Sequence, residues 1–189
     1  MRSRMNKKIL FAIIALIGII GVVVLTSLLT PKQNDFLARY DLESMSVQEM
    51  VSHLENKLDE TADFRASITG SNLSLGDTTY QVELDLPNGQ FYLSFAPYIS
   101  QTHPCSNHNL VTCRGELKNV SFEVTVVDTE SNSVILEDNM TSSSNGFTGI
   151  WLPKNKTYQI TVTYGNLSAS EEVSTFSTSN TCLTTLQLT

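Results

Sequence analysis

From Thr79 onward the chain alternates apolar and polar residues with a period of two, and this constrains the fold more than any other feature. Tyr80, Val82, Leu84 and Leu86 alternate with Gln81, Glu83 and Asp85, the pattern of a half-buried strand. Asn88-Gly89 follows, both tolerant of positive φ, and Phe91, Leu93 and Phe95 alternate on the return, which predicts a β-hairpin. Beyond Asn119 come six further runs: Phe122 to Val127, Val134 to Met140, Gly146 to Leu152, Tyr158 to Tyr164, Leu167 to Phe176 and Cys182 to Leu188. Their separators are rich in Asn, Ser, Gly, Lys and Pro, as turns are. Short strands at near-regular spacing predict an antiparallel β-sandwich of the immunoglobulin-like sort, without the Cys-Trp-Cys spacing of true immunoglobulin domains. Trp151 reads as a core anchor of that sandwich.

The first part of the chain is helical, so the expected class is α+β, mainly β with a short helical N-terminal part. Ser46-Val-Gln-Glu49 is a capping-box signature, and Met50, Val51, Leu54 and Leu58 form one apolar stripe with His53 beside it. Phe36, Leu37 and Tyr40 suggest another short helix, while 61–76 carries no clear signal. Further upstream, Ile9 to Thr30 is an uncharged run of 22 residues. At about 1.5 Å per helical residue it matches the roughly 30 Å thickness of a bilayer core. Arg2, Arg4, Lys7 and Lys8 precede it, and the positive-inside rule then leaves the amino terminus in the cytoplasm. The expected organisation is a basic cytoplasmic tail (1–8), a transmembrane anchor (9–30), a helical region with a hairpin (31–100) and a metal-loop and sandwich domain (101–189). The membrane is thus an expected partner, and the expected location is the cell membrane, single-pass, with the C-terminal domain extracytoplasmic. The alternative is secretion after cleavage of a signal peptide.

Four of the twelve basic residues precede the apolar run and all nineteen acidic residues follow it, so residues 31–189 carry a net charge of −11. That balance excludes nucleic acid as a partner, because phosphate neutralisation needs a basic patch. No glycine-rich phosphate loop occurs, and no acid, base or nucleophile stands in a catalytic pattern, so no enzyme is expected.

Soft and borderline metal ligands are concentrated between Tyr98 and Asn119. His103, Cys105, His108 and Cys113 fall within eleven residues, and the rest of the chain offers only Cys182 and His53. The C-x7-C spacing matches neither a zinc knuckle nor a C-x-x-C redox pair. Two readings stand. One is a metal site built on this loop. The other is a structural or adhesive β-sandwich module with a Cys105–Cys113 disulfide, no metal, and Cys182 as a buried apolar residue.

The residues from Thr102 to Leu117 (Thr-His-Pro-Cys-Ser-Asn-His-Asn-Leu-Val-Thr-Cys-Arg-Gly-Glu-Leu), Asn145 to Pro153 and Ser177 to Leu188 resemble the CueP family of periplasmic copper-binding proteins. The resemblance covers roughly Phe91 to the carboxyl end. It implies a copper-resistance protein in which Cys105, Cys113 and Cys182 bind copper. The chemistry agrees, since Cu(I) is soft and three thiolates suit its trigonal coordination. His103 and His108 also fall on the family's motif, as candidates for a fourth ligand, a Cu(II) entry ligand or an orienting group. The expected cargo is Cu(I), sequestered and passed by thiolate exchange to a copper-accepting protein. The resemblance also leaves open Cu(II) reduction by the thiols.

Overall fold

A computed structural model describes residues 32–57 and 63–189. The chain divides into two units, Met1–Ser44 and Met45–Thr189. In the first, residues 32–39 form helix α1, in which Phe36 and Tyr40, one turn apart, meet edge-on with ring centroids 5.3 Å apart. The second opens with helix α2 (Val47–Asn56). Its capping box is complete: Ser46 Oγ accepts the Glu49 N–H at 3.3 Å and Glu49 Oε2 accepts the Ser46 N–H at 2.7 Å. Met50, Val51 and Leu54 are buried along its inner face, and so is Glu55.

Among the described residues eleven strands follow: β1 (Arg65–Ile68), β2 (Asn72–Gly76), β3 (Gln81–Asp85), β4 (Gln90–Phe95), β5 (His108–Asn109), β6 (Ser121–Asp128), β7 (Val134–Thr141), β8 (Thr148–Pro153), β9 (Thr157–Tyr164), β10 (Leu167–Ser174) and β11 (Cys182–Leu183). They form three sheets, ordered β3-β2-β1-β5, β10-β9-β6-β7 and β11-β4-β8. The last two share one apolar core. Phe91, Leu93 and Phe95 of β4 and Ile150 and Leu152 of β8 pack with Phe122, Val124 and Val126 of β6 and Tyr158, Ile160 and Val162 of β9. Strand β4 is buried on both faces, because the residues between these apolar ones, Tyr92 and Ser94, reach back to Glu55 of α2.

Several expectations are corrected. The hairpin across Asn88-Gly89 does not form: β3 pairs only with β2, and β4 pairs with β8 and β11. The tight turn itself exists, with Gln90 N–H bonded to Pro87 O at 3.0 Å and Gly89 at φ +73°. It turns the chain out of one sheet into another: β4 is the central strand of β11-β4-β8 and is covered on both faces, while β3 is half exposed at the edge of its sheet. A single immunoglobulin-like antiparallel sandwich is likewise replaced by three sheets, since β11 joins β4 in parallel. Trp151 is half-buried and lies against Tyr92, with centroids 4.9 Å apart, rather than in the core. The stretch 61–76, unreadable from sequence, holds the β1–β2 pair.

The membrane-spanning helix is withdrawn. None of the helices among the described residues is long and apolar enough to cross a membrane, and the expected span Ile9–Thr30 lies outside those residues. With it go the membrane as a partner and the single-pass location. An uncharged run behind basic residues specifies length and apolarity, properties that a leader segment shares with an anchor.

The β6–β7 end of the molecule carries an acid-sensitive tie. Asp128, 2% exposed, pairs with Lys156 and accepts the Glu130 and Ser131 N–H groups at 3.0 and 3.1 Å. Lys156 first, then the Ser131 amide, hold its carboxyl down at about 2. A depressed folded-state pKa contributes stability that is present above the ordinary carboxylate value of about 4 and is lost as pH falls towards 2. Asp128→Asn is therefore expected to flatten the acid limb of a stability–pH curve between those values. An unchanged limb in the variant would show that Asp128 does not govern it.

Candidate metal centre

Four elements converge on the cysteines. Cys182 lies opposite Ser94 in the parallel β11–β4 register, hence on the face of β4 that meets Glu55. His108 lies opposite Ile68 in the β5–β1 register. Thr181, fully buried, joins the two: its hydroxyl donates to Ile68 O at 2.7 Å and accepts the His108 N–H at 3.0 Å. The loop is further tied to β11 by the Thr181 and Cys182 N–H groups, which bond Ser106 O at 2.9 and 3.2 Å.

Cys113 is placed by a tight turn. Asn109 Oδ1 accepts the Val111 and Thr112 amides at 3.0 and 2.9 Å, and the Cys113 N–H closes back on Asn109 O at 3.1 Å. Arg114 Nη1 clasps the turn by bonding the carbonyls of Val111 and Cys113 at 2.7 and 2.8 Å.

The fourth element is the 143–147 turn. Asn145 Nδ2 bonds Glu55 Oε2 at 2.6 Å, and the Phe147 ring packs on His108 with centroids 4.6 Å apart. Between them Gly146, at φ +85°, lies against Gly115, where an added Cβ would come within 2.5 Å of Gly115 O. Gly146→Ala is expected to lower the denaturant midpoint by more than Gly89→Ala. Both sites carry positive φ, worth roughly 1–3 kcal/mol of strain for a non-glycine residue, but only Gly146 also collides. Equal losses in the two variants would contradict this docking.

Among the described residues the structure thus gathers one donor atom each from Cys105, His108, Cys113 and Cys182 within 4.8 Å of one another. Cys105 and Cys182 form a disulfide, and Cys113 is a free, half-buried thiol with its Sγ 3.7 Å from that of Cys105. The Cys105–Cys113 pairing weighed from the sequence is therefore not the one present. His108 Nδ1 lies 3.6 Å from Cys182 Sγ, and its Nε2 lies 2.9 Å from Glu55 Oε1. His103 stays outside the group, its ring 6.1 Å from that of Phe147. His53, beside the α2 stripe, is also outside it.

The electrostatics favour a charged triad. Burial alone would push the His108 pKa down, but Cys113 and Glu55 raise it to about 9. Burial would push Cys113 up, yet His108 and the Asn109 amide, 3.4 Å from its sulfur, hold it below the ordinary thiol value. Burial likewise opposes charge on Glu55, and His108, Asn145 and Tyr92 outweigh it. Cys113 is thereby shifted toward the thiolate, the form that binds metal. The donor set also fits a single ion. Sulfur and nitrogen donors about 2.0–2.3 Å from one metal lie at most about 4.6 Å apart, close to the 4.8 Å span found here.

Glu55, Tyr92, Ser94, Thr181 and Asn145 escaped the sequence reading as parts of the site. Glu55 left a local signal, since it follows Val51 by four residues and so occupies the apolar face of α2, and Asn145 and Thr181 fall in segments that carry the family resemblance.

The family described as periplasmic copper-binding protein CueP matches residues 49–187. A solved structure described as the crystal structure of S.CueP is 39% identical, with a TM-score of 0.79, over 83% of this chain and 97% of that one. No curated protein matches the chain.

Proposed function

The chain belongs to the CueP family of periplasmic copper-binding proteins, and on that premise we propose that it binds one Cu(I) outside the cytoplasm through the thiolates of Cys105, Cys113 and Cys182. The observation that carries this reading is the convergence of three sulfurs and a ring nitrogen of His108 within 4.8 Å, with Nδ1 3.6 Å from Cys182 Sγ. Soft thiolates suit Cu(I), and His108 supplies a fourth donor on the same side. A groove of about 390 Å³ reaches Cys105 and Cys182 between Glu171, Glu172 and Asn180, giving a cation an acidic entrance. The same opening suits hand-over to a copper-accepting protein by stepwise exchange of thiolates.

Copper uptake is coupled to thiol state. An external dithiol opens the Cys105–Cys182 bond by exchange, giving up two electrons and two protons and becoming a disulfide itself, and loading the two thiols so formed with copper then releases protons. With the bond closed, Cys113 and His108 remain as the donors. The disulfide favours a second reading, a β-module stapled between the metal loop and its last strand that holds no metal. Native mass spectrometry of protein purified without air, with and without prior reduction, separates the two. One copper on each reduced chain and none on the disulfide form is the expected result; reduced chains that stay copper-free in the presence of Cu(I) would leave the stapled module as the function.

A further inference from the structure

Glu55 lies about fifty residues ahead of the metal loop, on a helix that no metal motif marks, yet its carboxylate meets four buried side chains beside the site. Oε1 accepts the Tyr92 hydroxyl at 2.9 Å and the Ser94 hydroxyl at 3.0 Å, and faces His108 Nε2 at 2.9 Å. Oε2 accepts Asn145 Nδ2 at 2.6 Å. Glu55 is 5% exposed, and His108, Tyr92, Ser94 and Asn145 are all buried at 4% or less.

Those contacts favour a proton on Nε2, whether the imidazole is neutral or charged. Nε2 lies at ion-pair distance from Oε1 without the alignment of a full hydrogen bond, and beside a carboxylate that only accepts, a protonated Nε2 is favoured over a bare lone pair. The opposite tautomer would set the Nε2 lone pair against a carboxylate oxygen, in surroundings too dry to screen the repulsion. Three further donors pin the carboxylate, so it cannot swing away without leaving buried hydroxyl and amide groups unbonded. On the far side of the ring, Nδ1 then faces the sulfurs, 3.6 Å from that of Cys182.

We infer that Glu55 is the positioning residue of the metal centre: its carboxylate holds His108 with Nε2 protonated and Nδ1 turned to the three cysteines. Helix α2 is thereby a working part of the site, and its capping box helps to set the angle of a metal ligand. The effect on metal affinity rests on the proposed copper binding; the state of the ring does not.

The test has two parts. Ring nitrogen NMR shifts of reduced, metal-free protein are expected to show Nε2 protonated in the wild type, and to show that preference lost in Glu55→Gln. A wild-type ring with Nε2 bare and Nδ1 protonated would overturn the inference, and this measurement stands even if the variant fails to fold. In the second part, Glu55→Gln is expected to weaken Cu(I) binding about 10- to 100-fold in an otherwise native chain, the range for groups that orient metal ligands. In a His108→Ala background the same change should cost little more, because Glu55 acts through the ring. An equal loss in both backgrounds would show that Glu55 supports the fold and not His108. If the reduced wild type binds no Cu(I), the proposed function falls while the ring measurement still decides the role of Glu55.

Discussion

Replacing any one of Cys105, Cys113 or Cys182 by Ser is expected to weaken Cu(I) binding by well over ~100-fold, beyond the range seen when only a ligand's supporting group is lost. A serine hydroxyl is a hard, poorly ionised substitute for a thiolate, and the remaining two sulfurs cannot complete a trigonal set. The three variants should be similarly impaired under reducing conditions, because their sulfurs belong to one cluster. His108→Ala should cost less with Cu(I) and relatively more if copper enters as Cu(II), which favours imidazole. His103→Ala should have little effect, given its place outside the cluster. Competition against a chelator of known Cu(I) affinity ranks all five. Histidine variants that lose Cu(I) as completely as the cysteine variants would remove the basis for a tris-thiolate site.

The second large effect is on stability. The Cys105–Cys182 disulfide joins residues 77 apart in sequence. Closing a loop of that length restricts the unfolded chain by about 4–5 kcal/mol in the chain-entropy account. Reduction is therefore expected to lower unfolding free energy by about that amount, read as a fall in the denaturant midpoint with a steeper slope, since the unlinked unfolded chain exposes more surface. Cu(I) added to the reduced chain should recover much of the loss, because one ion held by the same sulfurs links the same segments and binds only the folded state. Cys105→Ser and Cys182→Ser should show the low midpoint without reductant and gain little from copper. A midpoint indifferent to reduction, or a reduced chain that copper fails to stabilise, would contradict the view that disulfide and metal alternate at one place.

How much of this was legible beforehand follows from the range of each interaction. The capping box of α2 and the long strands β6, β7, β9 and β10 rest on local patterning, and sequence periodicity reads such elements directly. The partnership of β4 was not legible. Asn88-Gly89 encodes a turn but not the sheet into which it delivers the chain, and the buried run Phe91–Phe95 was the better clue that β4 is a central strand. The cysteine and histidine types in the loop pointed to the site, while the disulfide partner depended on the parallel pairing of β11 with β4, a contact across some ninety residues. Glu55 was hidden for the same reason. A glutamate on a helix ordinarily signals a solvated face, and only the docking of α2 against Tyr92, Ser94, His108 and Asn145 makes it a buried partner.

With His108 beside three thiols, the donor set is also one that zinc accepts, since Cys3His is a familiar tetrahedral zinc site. Competition between the two metals on reduced wild-type protein is therefore the most direct test of the central claim. An anaerobic titration with a competing Cu(I) chelator, repeated in excess zinc, should give one Cu(I) per reduced chain, unaltered by zinc, and none on the disulfide form. Displacement of copper by zinc, or the lack of a stoichiometric Cu(I) endpoint on the reduced chain, would contradict the account.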